Sequence, residues 1–226
     1  MSPPNSLPVL ALIPAYNEAK QVGQVVRATA SFLPVLVVDD GSTDDTAQQA
    51  ESAGARLLRQ TPNQGKGAAL KAGFRQALAD GYEAVLTLDA DGQHDPREIP
   101  SFLELYQAEH PDLIIGERDF SQIPFVRRLA NNLGRITFSW AIGQPVRDNQ
   151  SGYRLIGKNI MQAVLSSAEQ GFEFEVEMIV ICVRGGYKLA WVPIRTIYAG
   201  ESSHIQPFRH LVNFLRMVLR TRRELK

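Results

Sequence analysis

Asp89 and Asp91 stand two residues apart in the run Asp89-Ala90-Asp91-Gly92-Gln93-His94-Asp95, directly after the apolar stretch AVLTL. Two carboxylates at that spacing can point toward one hard cation. Magnesium and manganese take oxygen ligands and usually keep waters and substrate phosphates as well. Gln93 or Asp95 could add a further oxygen, although Asp95-Pro96 also has the form of a helix cap with proline at the first helical position. A second acidic pair, Asp39-Asp40, ends the run VLVV and leads into Gly41-Ser42-Thr43-Asp44-Asp45. There Gly41 would make a turn, and Ser42 or Thr43 would cap a helix. Gly65-Lys66-Gly67 could bring an anion to a helix start. It is not a Walker A loop, because residue 60 is Gln and residue 67 is Gly, and it is not a dinucleotide fingerprint. No Gly-x-Ser-x-Gly elbow occurs, and the His residues lack zinc spacing with one another or with Cys182, which reads as a core residue.

The elements that must position these groups follow from hydrophobic periodicity. Short apolar runs at Val9–Ile13, Val35–Val38, Ala55–Leu58, Ala84–Leu88 and Leu113–Ile115 predict strands. Residues 19–31, 44–53, 66–79 and 97–109 between them predict helices. This alternation is the pattern of βαβ units on an open, mostly parallel sheet with helices on both faces, an α/β fold. Ligands of such sheets bind beyond the carboxyl ends of the strands, where Pro14-Ala15-Tyr16-Asn17-Glu18, Asp39-Asp40 and Asp89-Ala90-Asp91 all fall. Beyond residue 117 the pattern changes. Helices are expected at 124–142, 172–184 and 207–225, a polar loop at 143–153, and two short strands around 187–198.

Composition narrows the class. The 226 residues are 44% hydrophobic and 21% charged, which suffices for a sizeable core in a single domain spanning 1–226. Lys+Arg and Asp+Glu number 24 each, so no nucleic-acid partner is expected from charge. One Cys excludes an internal disulfide framework. The N-terminal MSPPNSLP lacks the pattern of a secretory signal, and no apolar run reaches membrane-spanning length, so an intracellular, soluble or peripherally attached protein is expected.

Five segments occur together in one order: PAYNE, VVDDGSTDDT, GKGAAL, DADGQHDP and DNQSGYR. As a set, over about residues 8–206, they closely resemble the inverting glycosyltransferases of family 2, with their GT-A, Rossmann-like fold. Within that family the closest resemblance is to the polyprenyl-phosphate glycosyltransferases, such as the dolichyl-phosphate mannose synthases. The resemblance implies a UDP- or GDP-linked sugar donor and a Mg2+ or Mn2+ cofactor. Pro14, Ala15, Tyr16 and Glu18 would line the base and ribose, Asp39 and Asp40 would meet the nucleoside, and Lys66 and Ala90 would lie beside the donor. Asp89, Asp91 and Gln93 match the metal and diphosphate motif. Asp148 and Ser151 match the acceptor-side loop. Arg118, Arg128 and Arg195 fall where such synthases place arginines for an acceptor phosphate, with Arg127 as a substitute for Arg128. His204, in Tyr198–His204, falls in the loop that would close over that phosphate, displaced by one or two inserted residues. Residues 8–116 would form the nucleotide-sugar half and 117–206 the acceptor half.

The nucleophile determines what chemistry the chain must supply. A sugar hydroxyl must lose a proton, so an enzyme using one needs a base within hydrogen-bond reach, here Asp148 or Glu173. A phosphate monoester is already largely dianionic near neutral pH and needs only positioning and charge compensation. The implied reaction is inverting transfer of a hexose, mannose or glucose, to a membrane polyprenyl phosphate (dolichyl or undecaprenyl). The alternatives are a family member acting on a hydroxyl of a polysaccharide or small molecule, a silent nucleotide-sugar-binding subunit, and a nucleotidyltransferase. The lipid acceptor implies a peripheral position on the cytoplasmic face of a membrane. In 207–226, Arg209, Arg216, Arg220 and Arg223 fall within roughly 60° of helical arc beside a wide apolar face. Such a helix could lie in a membrane interface, or pack on the core, or pack on a second copy in a homo-oligomer. The aromatic segment 120–140 is the other candidate for meeting lipid.

Overall fold

The computed structural model describes residues 8–119, 125–167, 173–195 and Arg222, with side chains of 125–133 and Glu173 outside that set. The strands are β1 (Val9–Ala15), β2 (Val35–Asp40), β3 (Arg56–Gln60), β4 (Ala84–Thr87), β5 (Leu113–Arg118), β6 (Arg154–Gly157) and β7 (Leu189–Ile194). The helices are α1 (Val22–Ala30), α2 (Thr46–Ser52), α3 (Lys66–Ala79), α4 (Ile99–Glu109), α5 (Phe125–Ile142), α6 (Lys158–Val164) and α7 (Glu173–Arg184). One seven-stranded sheet has the order β3-β2-β1-β4-β6-β5-β7. Every pairing is parallel except the two made by β6.

Side-chain alternation along the strands builds two cores. Leu10 and Leu12 of β1 face one side with Phe74 of α3, Phe138 of α5 and Ile179 of α7. Val9, Ala11 and Ile13 face the other with Val22 and Val26 of α1 and Phe102 of α4. Burial of both sheet faces explains why the strands read as continuous apolar runs rather than as alternating patterns. Asp95 is a helix cap: its carboxylate accepts the Arg97 N–H at 3.0 Å, with Pro96 opening a 3-10 turn that runs into α4. Paired with Arg97 and engaged in this way, Asp95 is not a ligand candidate.

Of the two strands expected around 187–198, the described residues, which end at 195 here, hold one, β7. The structure corrects the sequence expectations in two places. Strand β6 and helix α6 have no counterpart among the expected elements. Their run, RLIGKNIMQAV, follows a polar loop with no turn signal between strand and helix; Gly157 closes β6 and is followed at once by Lys158 of α6. Ser42 and Thr43 do not cap α2, which begins at Thr46. They bind the loop at Asn17 instead. The C-terminal segment 207–226, apart from Arg222, and His204 lie outside the described residues.

Strand β6 brings the two halves of the chain together. Because it runs antiparallel to β4, with Thr87 opposite Arg154, the segment preceding β6 meets the segment following β4. DNQSGYR and DADGQHDP are thereby placed against each other. Thr87 Oγ1 donates to Gly152 O at 2.7 Å, and Tyr153 Oη donates to Asp95 O at 3.1 Å. Arg154, 1% exposed, is the anchor of this junction. Its guanidinium donates to the carbonyls of Ser151 (2.7 Å), Asn149 (3.4 Å) and Glu175. Replacing it leaves these buried acceptors unpaired, at about 1–3 kcal/mol each. Arg154→Met should therefore lose about 3 kcal/mol or more of stability, seen as a lower urea midpoint with an unchanged slope.

Candidate donor and metal site

The ends of β2, β1 and β4 form the rim of a cleft of about 480 Å3. It lies at the switch point where the strand order departs in opposite directions from β1 and β4, the usual ligand position in such sheets. Pro14, Ala15, Tyr16, Glu18, Asp40, Gly65, Lys66, Asp89, Ala90 and Asp91 line it, joined by Asn63 and Ala69, which the sequence did not single out. Asn63 and Gly65 enter because the carboxylate of Asp40 draws their loop in. Its two oxygens accept the N–H groups of Gln64 (2.8 Å) and Gly65 (2.7 Å). Gly41, at φ +77°, passes so close to this loop that a Cβ there would fall 2.8 Å from Asn63 N. Asp39 is nearly fully buried and accepts the Ser42 N–H at 3.0 Å. Its other oxygen lies 3.3 Å from Arg59 Nε without hydrogen-bond geometry.

Two donor loops are interlocked. Asn17 and Glu18 donate their backbone N–H groups to Ser42 Oγ (2.9 Å) and Thr46 Oγ1 (2.7 Å). In return, Thr43 N–H donates to Asn17 Oδ1 at 2.8 Å, and Asn17 takes a left-handed conformation, φ +56°. The hydroxyls expected to cap a helix thus shape the loop that carries Tyr16 and Glu18.

The acidic rim is held by cations and backbone. Lys66 Nζ lies 2.5 Å from Asp89 Oδ1 and 2.9 Å from Glu175 Oε1, joining the donor rim to α7. Glu175 is a site residue that sequence reasoning misses, because it is one of three acids at the start of α7, Glu173, Glu175 and Glu177, and their spacing does not say which one faces the rim. Burial alone would raise the Asp89 carboxyl, but the charges of Lys66 and His94 and the hydrogen bond from Lys66 outweigh it and hold it at about 2. Gly152 is the point where this cluster meets the acceptor-side loop. A Cβ there would fall 2.9 Å from Asp89 Oδ2 and 3.0 Å from both Glu175 Oε1 and Lys66 Nζ.

Asp91 is less constrained. Its Oδ1 accepts the Gln93 N–H at 2.9 Å, and burial followed by the nearby Asp89 charge pushes its carboxyl upward despite that bond. A half-buried carboxylate with a partner on one oxygen gains from a cation. Among the described residues no group of three or more His, Cys, Asp or Glu side chains is placed to hold a metal. Two carboxylates, Asp89 and Asp91, with the Gln93 amide nearby, fit a hard divalent ion that draws its remaining ligands from phosphates and water.

On the side of the cleft formed by the DNQSGYR loop, Arg118 binds Asp148 through two bonds, Nε to Oδ2 at 2.7 Å and Nη2 to Oδ1 at 3.0 Å. Asp148 Oδ1 also accepts the N–H groups of Gln150 and Ser151. The Ser151 hydroxyl is buried without a hydrogen-bond partner among the described residues. Parallel pairing sets Arg118 opposite Ile194, so exposed Arg195 emerges at the same rim as Arg118. The side chains of Arg127, Arg128 and Glu173 lie outside the described residues. Cys182 is buried in the α7 core, where burial pushes its thiol up to about 12.

Comparison with known proteins agrees with this geometry. Residues 11–165 match the sequence profile of Glycosyl transferase family 2. The undecaprenyl-phosphate mannosyltransferase of Micrococcus luteus is 33% identical over 204 residues, 82% of this chain and 82% of that protein. The polyprenol monophosphomannose synthase of Mycolicibacterium smegmatis is 29% identical over 201 residues, 82% of this chain and 76% of that one. In fold, the chain resembles glucosyl-3-phosphoglycerate synthase from Mycobacterium tuberculosis, solved with Mn2+, uridine diphosphate and phosphoglyceric acid. That structure superposes with a TM-score of 0.71 at 19% identity, over 94% of this chain and 76% of that one. The chain belongs to glycosyl transferase family 2.

His94 gives the rim a pH signature. Its Nδ1 accepts the Asp89 N–H at 3.0 Å, which requires that nitrogen to be unprotonated. The ring stacks on Tyr153 with centroids 5.0 Å apart. Burial lowers its proton affinity, ahead of the opposing charge of Asp89. The unfolded chain then binds a proton that the native state refuses, so stability falls as pH drops below the unfolded value of 6.5. Urea midpoints in chelator should decline from about pH 6.5 downward in the wild type. His94→Gln, which can still accept the Asp89 N–H, should flatten that decline.

Proposed function

We propose that the chain transfers a hexose from a nucleotide sugar to a polyprenyl phosphate, with inversion at the anomeric carbon. The observation that carries this reading is the bidentate Arg118–Asp148 pair. A hydroxyl acceptor needs a free base, and Asp148, one of the two acids the sequence offers for that role, is buried and engaged on both oxygens. A phosphate acceptor needs no base. Its requirement is cationic groups at the rim, where Arg118 ends β5 opposite Ile194 and Arg195 follows directly after β7. The names of the mannosyltransferase and mannose synthase relatives support the same acceptor class for this chain.

In this reading the nucleoside lies in the cleft between Pro14–Glu18 and Asp40–Lys66, and the diphosphate lies toward Asp89 and Asp91. A Mg2+ or Mn2+ ion held there would neutralise the charge that develops on the leaving diphosphate. A phosphate oxygen of the acceptor attacks the anomeric carbon from the face opposite the leaving group. The bond from that carbon to the diphosphate oxygen breaks as the new one forms. Arg118 and Arg195, with Arg128, compensate the acceptor charge. Asp148 keeps the Arg118 guanidinium in place rather than moving a proton.

Radiolabelled UDP- and GDP-sugars incubated with polyprenyl phosphate should yield solvent-extractable labelled lipid. Free polyprenol should not, and comparable labelling of polyprenol would falsify the acceptor assignment. Asp91→Asn should abolish transfer with the fold intact. Arg195→Gln should cut kcat/KM for the acceptor about 10- to 150-fold, the equivalent of one charge-assisted hydrogen bond, without weakening donor binding.

A lipid acceptor also requires access to a membrane. No described helix is long and apolar enough to cross one. Helix α5 buries Phe138, Ala141 and Ile142 but exposes Ile136 (62%) and Trp140 (56%) one turn apart. The Arg222 guanidinium stacks 4.8 Å over the Trp140 ring and donates to Trp140 O at 3.2 Å, so a residue of the basic C-terminal segment shares that surface. We assign this face to peripheral contact with the cytoplasmic leaflet. Cosedimentation with anionic vesicles should be partly salt-sensitive, and it should weaken in both Trp140→Ser and Arg216→Glu/Arg220→Glu. Binding unchanged in both variants would remove the assignment.

A further inference from the structure

Lys66 is shared between two carboxylates of different standing. Asp89 belongs to the pair that fits a divalent ion, whereas Glu175, on α7, lies outside that pair. An ammonium 2.5 Å from Asp89 Oδ1 occupies one of the directions from which a cation would approach that carboxylate. Lysine and a divalent ion therefore compete for Asp89, and the outcome depends on what else Lys66 can hold. Glu175 is 6% exposed, and its backbone carbonyl is fixed by the buried Arg154 guanidinium, so its carboxylate is a rigid second berth. Gly152 leaves no slack in the arrangement, because an added methyl group there would touch all three side chains.

We propose that Glu175 is a positioning residue that retains the Lys66 ammonium while Asp89 exchanges it for a divalent cation. It thereby tunes metal affinity without touching the metal. With Glu175 present, the lysine gives up one of these two carboxylates and keeps the other. Without that carboxylate, Asp89 is the only one of the two left to Lys66, and the site carries one more net positive charge beside the incoming cation. This inference rests on the assignment of Asp89 and Asp91 as the divalent-ion pair.

The test is Mn2+ binding to the full chain, followed by the loss of free-ion EPR signal, alone and with UDP or GDP. Glu175→Gln should weaken Mn2+ binding at least about tenfold, in line with one added net charge at close range. Lys66→Gln should tighten binding by a larger factor in the Glu175→Gln background than in the wild type, because only there is Asp89 the sole berth of the pair. Equal factors in the two backgrounds would mean that the charges act independently, and would overturn the proposal. Thermal melts accompany each protein, since Lys66→Gln alone leaves Glu175 buried beside a neutral amide. If that variant does not fold, Glu175→Gln is compared with the double variant, which has the wild-type net charge. Recovery of wild-type affinity or better supports the proposal, and a double variant as weak as Glu175→Gln overturns it. Wild-type protein that binds no Mn2+, or binds it equally well as Asp91→Asn, would instead remove the metal assignment on which the inference depends.

Discussion

The reversal of a single strand determines where the chemistry can occur. A sheet of parallel strands brings carboxyl ends to one edge, but the segments there come from loops that each lead into their own helix. Running β6 antiparallel between β4 and β5 brings in a loop that approaches the edge from the other direction. DNQSGYR is thereby laid against DADGQHDP, with Thr87, Tyr153 and Arg154 closing the seam. If β6 shifted by one residue, Arg154 would turn from one face of the sheet to the other and its carbonyl partners would lose their donor.

Charge at this edge follows from desolvation. Buried carboxylates are tolerated only when paired or hydrogen-bonded. Asp40 is bound to backbone N–H groups, Asp148 to Arg118, and Asp89 with Glu175 to Lys66. Asp91 is the member of this set with the weakest compensation, and it lines the cleft beside Asp89. The residual demand for positive charge is thus concentrated at one carboxylate, which is the condition for placing a cation there and not elsewhere along the rim.

Much of the donor half was legible in the sequence, because its signals are local. Apolar runs of strand length, helices of one to four turns and acids at strand ends all lie within short windows, and Val9–Ala15 and Lys66–Ala79 fall where periodicity puts them. The Asp95 cap was readable for the same reason. What could not be read depends on tertiary pairing. Arg154–Gly157 is a four-residue strand running straight into a helix, and only its partners β4 and β5 make it a strand. Ser42 and Thr43 have cap chemistry, yet they serve residues 25 and 26 positions away. Glu175 is one of three alternate acids at the start of α7, and only the arrival of Lys66 singles it out. Asp148 is identifiable by motif, but its engagement with Arg118 across 30 residues is not.

The reciprocal bonds between the Asn17 and Thr43 loops bear on how donor preference could be altered in such a scaffold. Each loop supplies donors and acceptors that the other completes, so neither has a defined shape alone. Grafting one from a relative with a different nucleotide would leave unpaired N–H groups in the loop that remained. The shape of this part of the cleft rim is set by a matched pair of loops. Drift in one constrains drift in the other although helix α1 and strand β2 stand between them in the chain, so chimeras should be cut outside both, before β1 and after α2.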